Sequence, residues 1–279
     1  MGLHNGSREV VTPGTKLDAK DMQEGTGTTE LKGIMATKYR ALVARGNYLS
    51  RDRTDIKFAV KELSRRMAKP RERDMTRLKR LARYLIGRTR VVQKYELQGK
   101  EKVLKSWSDA DWAGCPETRK STSGGCVMLG SHCVKHWSST QQSVTFSSGE
   151  AEFAGVIRGA GQGLGYQALL RDLCVELSLR VWTDSSAAIG ICTRQGLGKL
   201  RHLDTHTLSI QQAVRTKRID LRKVDGERNP ADLLTKHSIS RQRLDDVVRV
   251  FGGRHIGGRA ESAPQVGIGD SSRVTMAQA

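Results

Sequence analysis

No run of apolar residues in this chain is long enough to span a bilayer, which excludes a transmembrane helix and a membrane partner. Cysteine is scarce and unpaired. Cys115, Cys126, Cys133, Cys174 and Cys192 are odd in number and contain no Cys-x-x-Cys pair, so they read as reduced thiols rather than a disulfide framework. Nothing near the N-terminus has the pattern of a targeting segment. These absences lead to the expectation of a soluble intracellular protein, cytoplasmic or nuclear. Hydrophobic residues make up only 37% of the 279, low for a wholly globular chain, so part of it is expected to be solvated. The length admits one full domain, a smaller module and tails. Negative charge is also in short supply. Lys and Arg number 48 against 29 Asp and Glu, a net charge of +19, which favours a polyanionic partner such as nucleic acid. Much of the excess lies between Met35 and Lys100, where 20 basic residues face 6 acidic ones.

Residues 1–33 are rich in Gly, Thr and charge without apolar periodicity, and read as a linker or disordered start. Residues 34–95 read as a small helical module. Its second stretch, Asp55 to Met67, places Ile56, Ala59, Val60, Leu63 and Met67 at helical spacing, with Pro70 as terminator. Its third, Asp74 to Ile86, carries Met75, Leu78, Leu81 and Leu85 on one side and Arg77, Arg80 and Arg83 elsewhere, a basic face suited to a sugar-phosphate backbone. Residues 101–250 read as an α/β domain. Strands are expected at 103–109, 123–129 and 133–139, with Gly130-Ser131 as a tight turn. A long helix from 149 to about 177, a strand at 179–183, a helix from Ser185, a polar helix at 203–214 and a strand at 218–224 follow. A last helix starts at Asn229. Three strands, helix, strand, helix, strand, helix imply a five-stranded mixed sheet flanked by helices. Residues 251–279 turn to Gly, Arg, Ser and Ala and read as a disordered tail.

Four acidic residues stand in short signatures: Asp109 in Trp107-Ser-Asp-Ala-Asp-Trp, Glu152 in Gly149-Glu-Ala-Glu-Phe, Asp184 in Val181-Trp-Thr-Asp-Ser-Ser, and Asp232 in Asn229-Pro-Ala-Asp-Leu. Their separations are too long for a local loop site such as an EF-hand. They suit carboxylates on different elements meeting at one end of a sheet. Hard divalent cations take oxygen ligands, and two ions about 3.5–4 Å apart need several anionic oxygens. One such residue alone is ordinarily a cap or a solvated charge; four in sequence order point to a shared site.

The blocks Trp107-Ser-Asp-Ala-Asp-Trp-Ala-Gly, Arg119-Lys-Ser-Thr-Ser-Gly-Gly, His136-Trp-Ser-Ser-Thr-Gln-Gln, Ser147-Ser-Gly-Glu-Ala-Glu-Phe, Trp182-Thr-Asp-Ser-Ser-Ala-Ala, Arg201-His202 and Asn229-Pro-Ala-Asp-Leu-Leu-Thr-Lys resemble consecutive blocks of the ribonuclease H domain of Ty1/copia-type retrotransposon Pol polyproteins. Upstream, Thr54-Asp55-Ile-Lys-Phe-Ala-Val and Leu81-Ala-Arg-Tyr-Leu-Ile-Gly resemble the segment joining that family's reverse transcriptase to its nuclease. The likeness covers roughly residues 34–237 and suggests a C-terminal piece of such a polyprotein. It implies a ribonuclease H-like fold and a metal-dependent endonuclease that hydrolyses the RNA strand of RNA–DNA hybrids, leaving a 3′-hydroxyl and a 5′-phosphate. It further implies two Mg2+ ions, with Mn2+ able to substitute. Asp109 would bridge both ions, Glu152 and Asp184 would complete the site of one, and Asp232 would help hold the other, which activates the attacking water. The implied partners are the hybrid and the reverse transcriptase portion of the same polyprotein, within a retrotransposon particle. Arg201, His202, Arg77, Arg80, Arg83 and Trp112 are the candidate nucleic-acid contacts.

The chain departs from the family in places. It has no Tyr-x-Asp-Asp motif, so it does not polymerise. The long helix carries Gly155, Gly159, Gly161, Gly163 and Gly165, each costing about 1 kcal/mol against alanine. No histidine lies between Val224 and Asn229. Glu150 and Asp111, two residues from the chosen acids, are set aside, because Glu152 directly precedes the aromatic-apolar helix face. Gly159-Ala-Gly-Gln-Gly-Leu-Gly fits G-x-G-x-x-G in no register. His202 and His206, four apart, have a spacing that could ligate zinc but no further ligand, and Cys126, His132, Cys133 and His136 are set aside because adjacent strand residues point to opposite faces. A second reading is a non-catalytic nucleic-acid-binding remnant of such an element.

Overall fold

The computed structural model describes residues 8–16, 27–196, 198, 200, 202, 208–237, 239–258 and 260–261. Its basic stretch forms three helices: α1 (Gly33–Leu49), α2 (Lys57–Ser64), entered through a 3-10 turn at Thr54–Ile56, and α3 (Glu72–Gly87). The Asp74 carboxylate caps α3 by accepting from the Arg71 N–H at 2.9 Å. Together with Glu72 it places negative charge at the positive end of the helix dipole. The helix expected over 55–67 stops at Ser64, well before Pro70. Arg40 captures the carbonyls of Met67 (2.8 Å) and Ala68 (3.3 Å), so that stretch is held as turns instead.

Next come β1 (Arg90–Gln93), β2 (Val103–Asp111), β3 (Thr122–Leu129), β4 (His132–Thr140), α4 (Ser148–Asp172), β5 (Ser178–Thr183), α5 (Ser186–Thr193), α6 (Ser209–Arg215), β6 (Ile219–Lys223), α7 (Arg241–Val250) and β7 (Gly253–Ile256). Five strands form a sheet in the order β4-β3-β2-β5-β6. β2 pairs antiparallel with β3 and parallel with β5, and β5 is parallel to β6. This is the five-stranded mixed sheet expected from the sequence, with β2 at its centre. The hairpin turn falls at Gly130, whose φ of 60° suits a residue without Cβ. The expected polar helix is realised as α6; residues 203–207 lie outside the described ones.

Both faces of the sheet are covered. On one, Leu104, Val127, Leu179, Val181 and Ile219 pack against Phe153, Val156 and Ala160 of α4. On the other, Cys126 and Met128 join a core built from α1, α2, α3 and α7, with Tyr39, Val43, Val60, Leu78, Leu233, Leu234, Leu244 and Phe251 in one cluster. The helical module and the sheet region therefore share a core, where the sequence had suggested two units.

Three further expectations need correction. Residues 251–279 are not structureless throughout, because Gly253–Ile256 pairs antiparallel with β1. That strand pairing joins residues far apart in sequence, which composition cannot reveal. Within 1–33, Arg83 Nε donates to the Arg8 carbonyl at 2.6 Å and Arg80 to the Thr12 hydroxyl at 2.9 Å, so residues 8–14 are laid on α3. The last helix does not begin at Asn229. Residues Pro230–Leu234 form a 3-10 turn, with the Asn229 side chain capping it through the Ala231 N–H and Pro230 at its first position.

Candidate active site

Two copies of one short pattern bring the first acids together. Trp107 and Trp182 are register partners in the parallel pair β2–β5, and their rings stack at 5.3 Å with an interplanar angle of 14°. Side chains two residues apart share a face of a strand. Asp109 and Asp184, each two residues beyond its tryptophan, thus emerge side by side at the C-terminal ends of the strands. Asp109 is 2% exposed.

The third acid arrives on the 3-10 turn. Asn229 is fully buried and donates from Nδ2 to the Ser108 carbonyl at 3.0 Å. This ties the turn to β2 beside Asp109, and Asp232 follows three residues later. Carboxylate oxygens of Asp109, Asp184 and Asp232 lie within 4.8 Å of one another. Among the described residues this is the one group of three or more acidic, His or Cys side chains so placed.

Glu152 comes from the second turn of α4, which Ser147 caps by accepting from the Glu150 N–H. Its carboxylate accepts from the Ala110 backbone and feels the charges of Asp109 and Asp184, while Oε2 is buried without a hydrogen-bond partner. Burial first, then repulsion from Asp109 and Asp184, pushes the Glu152 pKa up to about 9. Burial likewise raises Asp109 to about 6, and it raises Asp184 above the ordinary aspartate value. The Lys236 ammonium works against the shift at all three carboxylates without cancelling it, so the cluster is short of positive charge. The orphaned Glu152 oxygen beside three converging carboxylates is the all-oxygen, anionic donor set that hard divalent cations take, so the residues fit such an ion.

Two neighbours were not singled out in the sequence, although both stand in the Asn229–Lys236 block. The Thr235 hydroxyl donates to Asp109 Oδ2. Lys236 Nζ lies 2.5 Å from Asp232 Oδ1. Burial works against its charge, yet Asp109, Asp232 and Asp184 together keep its pKa above the ordinary lysine value. A cavity of about 290 Å³ beside the cluster is bordered by Lys236, His237, Asp111 and, from α2, Phe58 and Glu62, so the helical module reaches the site.

The two acids set aside have other surroundings. Glu150 is buried at the head of α4, accepting from the Phe146 N–H at 2.9 Å and lying 3.1 Å from His202 Nε2. Asp111 turns toward Lys61, Glu62 and Lys16. Of the candidate nucleic-acid contacts, Trp112 is 47% exposed three residues past Asp109, its indole N–H donating to the Thr145 carbonyl at 3.2 Å. His202 stands edge-on to the exposed Phe146 ring at 4.9 Å. Arg77 acts on His237, whose imidazole burial and then Arg77 push down to about 4. Arg80 and Arg83 are engaged with residues 8–14, and Arg201 lies outside the described residues.

Comparison with known proteins gives these features a family. The chain is 30% identical over 233 residues, 82% of its length, to the retrovirus-related Pol polyprotein from transposon RE1 of Arabidopsis thaliana. It belongs to the retrovirus-related Pol polyproteins of copia-type transposons. The Pol polyprotein from transposon TNT 1-94 of Nicotiana tabacum is 29% identical over 75% of the chain. The chain spans 16% of the length of each of these two polyproteins. No protein-family model matches it. Among solved structures, the N-terminal RNase H domain of a Mycobacterium tuberculosis protein, fused to maltose binding protein, covers 53% of this chain and is itself covered to 98%, at 16% identity and a TM-score of 0.34. The sheet region of this family member carries the strand order β4-β3-β2-β5-β6, with Asp109 and Asp184 at its strand ends.

Proposed function

We propose that the chain is a metal-dependent ribonuclease H, hydrolysing the RNA strand of an RNA–DNA hybrid. The observation that carries this reading is the convergence of Asp109, Asp184 and Asp232 within 4.8 Å, beside the unpartnered buried oxygen of Glu152. Asp109, central and most buried, would contribute to both ion positions, Glu152 and Asp184 to one and Asp232 to the other. Bound divalent ions supply charge neutralisation and an activated water to in-line phosphodiester cleavage. The chain's own part is to keep the carboxylates oriented: Thr235 holds one oxygen of Asp109, and Asn229 fixes the turn that carries Asp232. Trp112, Phe146 and His202 form a rim where bases or sugars of the hybrid would lie. Selection of a hybrid would come from its shape and 2′-hydroxyls rather than base reading. The reverse transcriptase portion of a family polyprotein is the proposed protein partner.

A labelled hybrid incubated with Mg2+ tests this. Asp109→Asn and Asp184→Asn are each expected to lower cleavage by at least about 100-fold, since even groups that merely support metal ligands cost about 10–100-fold when removed. Cutting at the wild-type rate by either variant refutes the site assignment. One observation favours a second reading, a nucleic-acid binder that does not cut: the Lys236 ammonium already neutralises part of the cluster. Hybrid binding with no metal-dependent cleavage decides for it.

A further inference from the structure

The residues proposed for cleavage leave one strongly basic region without a role. Where the end of α3 meets α7 and β7, a cavity of about 340 Å³ is bordered by Arg88, Arg241, Arg249 and Arg254, with Asp245 as its single carboxylate among the described residues. Asp245 is already committed to Arg88, whose guanidinium grips both its oxygens at 2.6 and 3.2 Å. Arg249 rests on Asp246 at 3.2 Å. Arg241 and Arg254 make no ion pair or side-chain hydrogen bond among the described residues, and both are exposed. The wall therefore carries surplus positive charge.

A second, independent feature points to a ligand. The His255 side chain is 14% exposed and lies 3.7 Å from Asp245, too far for a hydrogen bond, and both its ring nitrogens are buried without a partner. Buried polar groups are normally satisfied, so an unpartnered imidazole beside uncommitted guanidinium groups marks a place for an acceptor-rich group. The frame is tightly built. Gly252, at φ 76°, turns the chain from α7 into β7, and a Cβ on Gly253 would come within 2.8 Å of Val248 Cγ1, so only glycine lets β7 close on α7 there. Guanidinium forks match the oxygens of a phosphate. The cavity ends on α3, part of the basic stretch that supplies much of the chain's +19 charge, which favours a polymeric phosphate over a free one.

We propose that this cavity is a second anion site, binding a backbone phosphate of a nucleic acid through residues none of which belongs to the acid cluster. It rests on the reading of the chain as a nucleic-acid protein, but not on cleavage. The test is fluorescence anisotropy of a labelled RNA–DNA hybrid with the full chain in EDTA, across a NaCl series. Arg241→Ala/Arg254→Ala, both at exposed positions and so expected to melt like wild type, should weaken binding roughly tenfold, as two exposed charge-assisted contacts would. The slope of log affinity against log salt should become shallower by about one. Equal affinity and slope for variant and wild type overturn the proposal, as does a wild-type chain that does not bind the hybrid. Inorganic phosphate is the second arm. If it shifts the His255 ring resonances while hybrid binding ignores the two arginines, the site takes free phosphate and the nucleic-acid assignment falls. Because EDTA prevents metal-dependent cutting, failed hydrolysis elsewhere leaves this result standing, and wild-type-like binding by the two-arginine variant leaves the hydrolysis reading untouched.

Discussion

At the scale of single residues, the acid cluster is held in check by Lys236 and by protons. The Lys236 ammonium lies against Asp232 and is stabilised by Asp109 and Asp184 as well, so an incoming divalent ion competes with a charge the chain supplies itself. Lys236→Met is expected to lower the melting temperature in EDTA, because it leaves buried carboxylates unpaired. The same change is expected to tighten Mn2+ binding by about tenfold, roughly 1.4 kcal/mol, in calorimetric titrations without nucleic acid. Weaker binding would show that the lysine orients the carboxylates rather than competing for them. Protons act in the same place. Asp109 and Glu152 have folded-state pKa values raised to about 6 and about 9, so the folded chain binds more protons than the unfolded one from the ordinary carboxylate range up to about pH 9. Their contribution is complete below that range and is lost as pH rises through the folded values. In metal-free buffer the urea midpoint should therefore fall between pH 6 and pH 9, and Glu152→Gln should flatten that fall. Identical slopes in both proteins would remove Glu152 as its source.

At the scale of elements, α4 shows what composition conveys and what it conceals. Its mid-helix glycines, Gly155, Gly159, Gly161, Gly163 and Gly165, look like a weakness when counted by helix propensity, yet they divide into two sets. Gly155, Gly159 and Gly163 recur every four residues on the face that meets the sheet. A Cβ at Gly159 would lie 3.3 Å from Ser106 Oγ, and one at Gly163 2.5 Å from the buried Leu179 Cδ1. Ser106 Oγ donates to the Gly159 carbonyl at 2.9 Å across that contact. Gly161 and Gly165 meet nothing within 4 Å. Gly161→Ala should stabilise the protein by about 0.5–1 kcal/mol, whereas Gly163→Ala should destabilise it by about 1–3 kcal/mol through overpacking; denaturant titration separates the two. The strands and the acids of the cluster were legible because their signals are local: alternation along β2 and β5, Trp-x-Asp in each, and a serine cap before α4 and α5. Asp109, Asp184 and Asp232 could be picked from those strings. The β1–β7 pairing could not, since neither four-residue strand alternates or carries a turn signal linking it to the other. Lys236 was passed over because a lysine after a short motif reads as an ordinary solvated charge, and only the fold of the 3-10 turn aims it inward.

At the scale of the whole molecule, the boundary suggested near residue 100 is crossed by the core. Leu233, Leu234, Leu244, Val247, Val248 and Phe251 are buried against Tyr39, Ile56, Ala59, Val60, Leu78 and Tyr84. A buried polar link runs beside them: Asp55 accepts from Arg53 at 2.7 and 2.9 Å and from the Tyr84 hydroxyl at 2.8 Å, and Arg53 donates to the Arg88 carbonyl at 3.0 Å. The turn carrying Asp232 places Leu233 and Leu234 in the same cluster as Leu244 and Val248 of α7, so the helices that cover α7 also bear on the site. Removing residues 1–100 would leave those six apolar side chains facing water, each worth about 1.5–3 kcal/mol when fully buried, against a total stability of about 5–15 kcal/mol for a typical domain. The truncated chain 101–261 is therefore expected to lose cooperative unfolding and to bind a hydrophobic dye, while the chain 8–261 unfolds in one sharp transition. The Asp55→Asn/Tyr84→Phe pair offers a milder probe in the intact protein. Weakening the buried link on the helical side should lower the melting temperature of the entire chain as one unit, seen equally in tryptophan fluorescence, which reports on the sheet, and in far-ultraviolet circular dichroism, which reports on the helices. Two separated transitions would mean that the helical module and the sheet fold independently, and that Asp232 takes its place without help from the helices packed behind it.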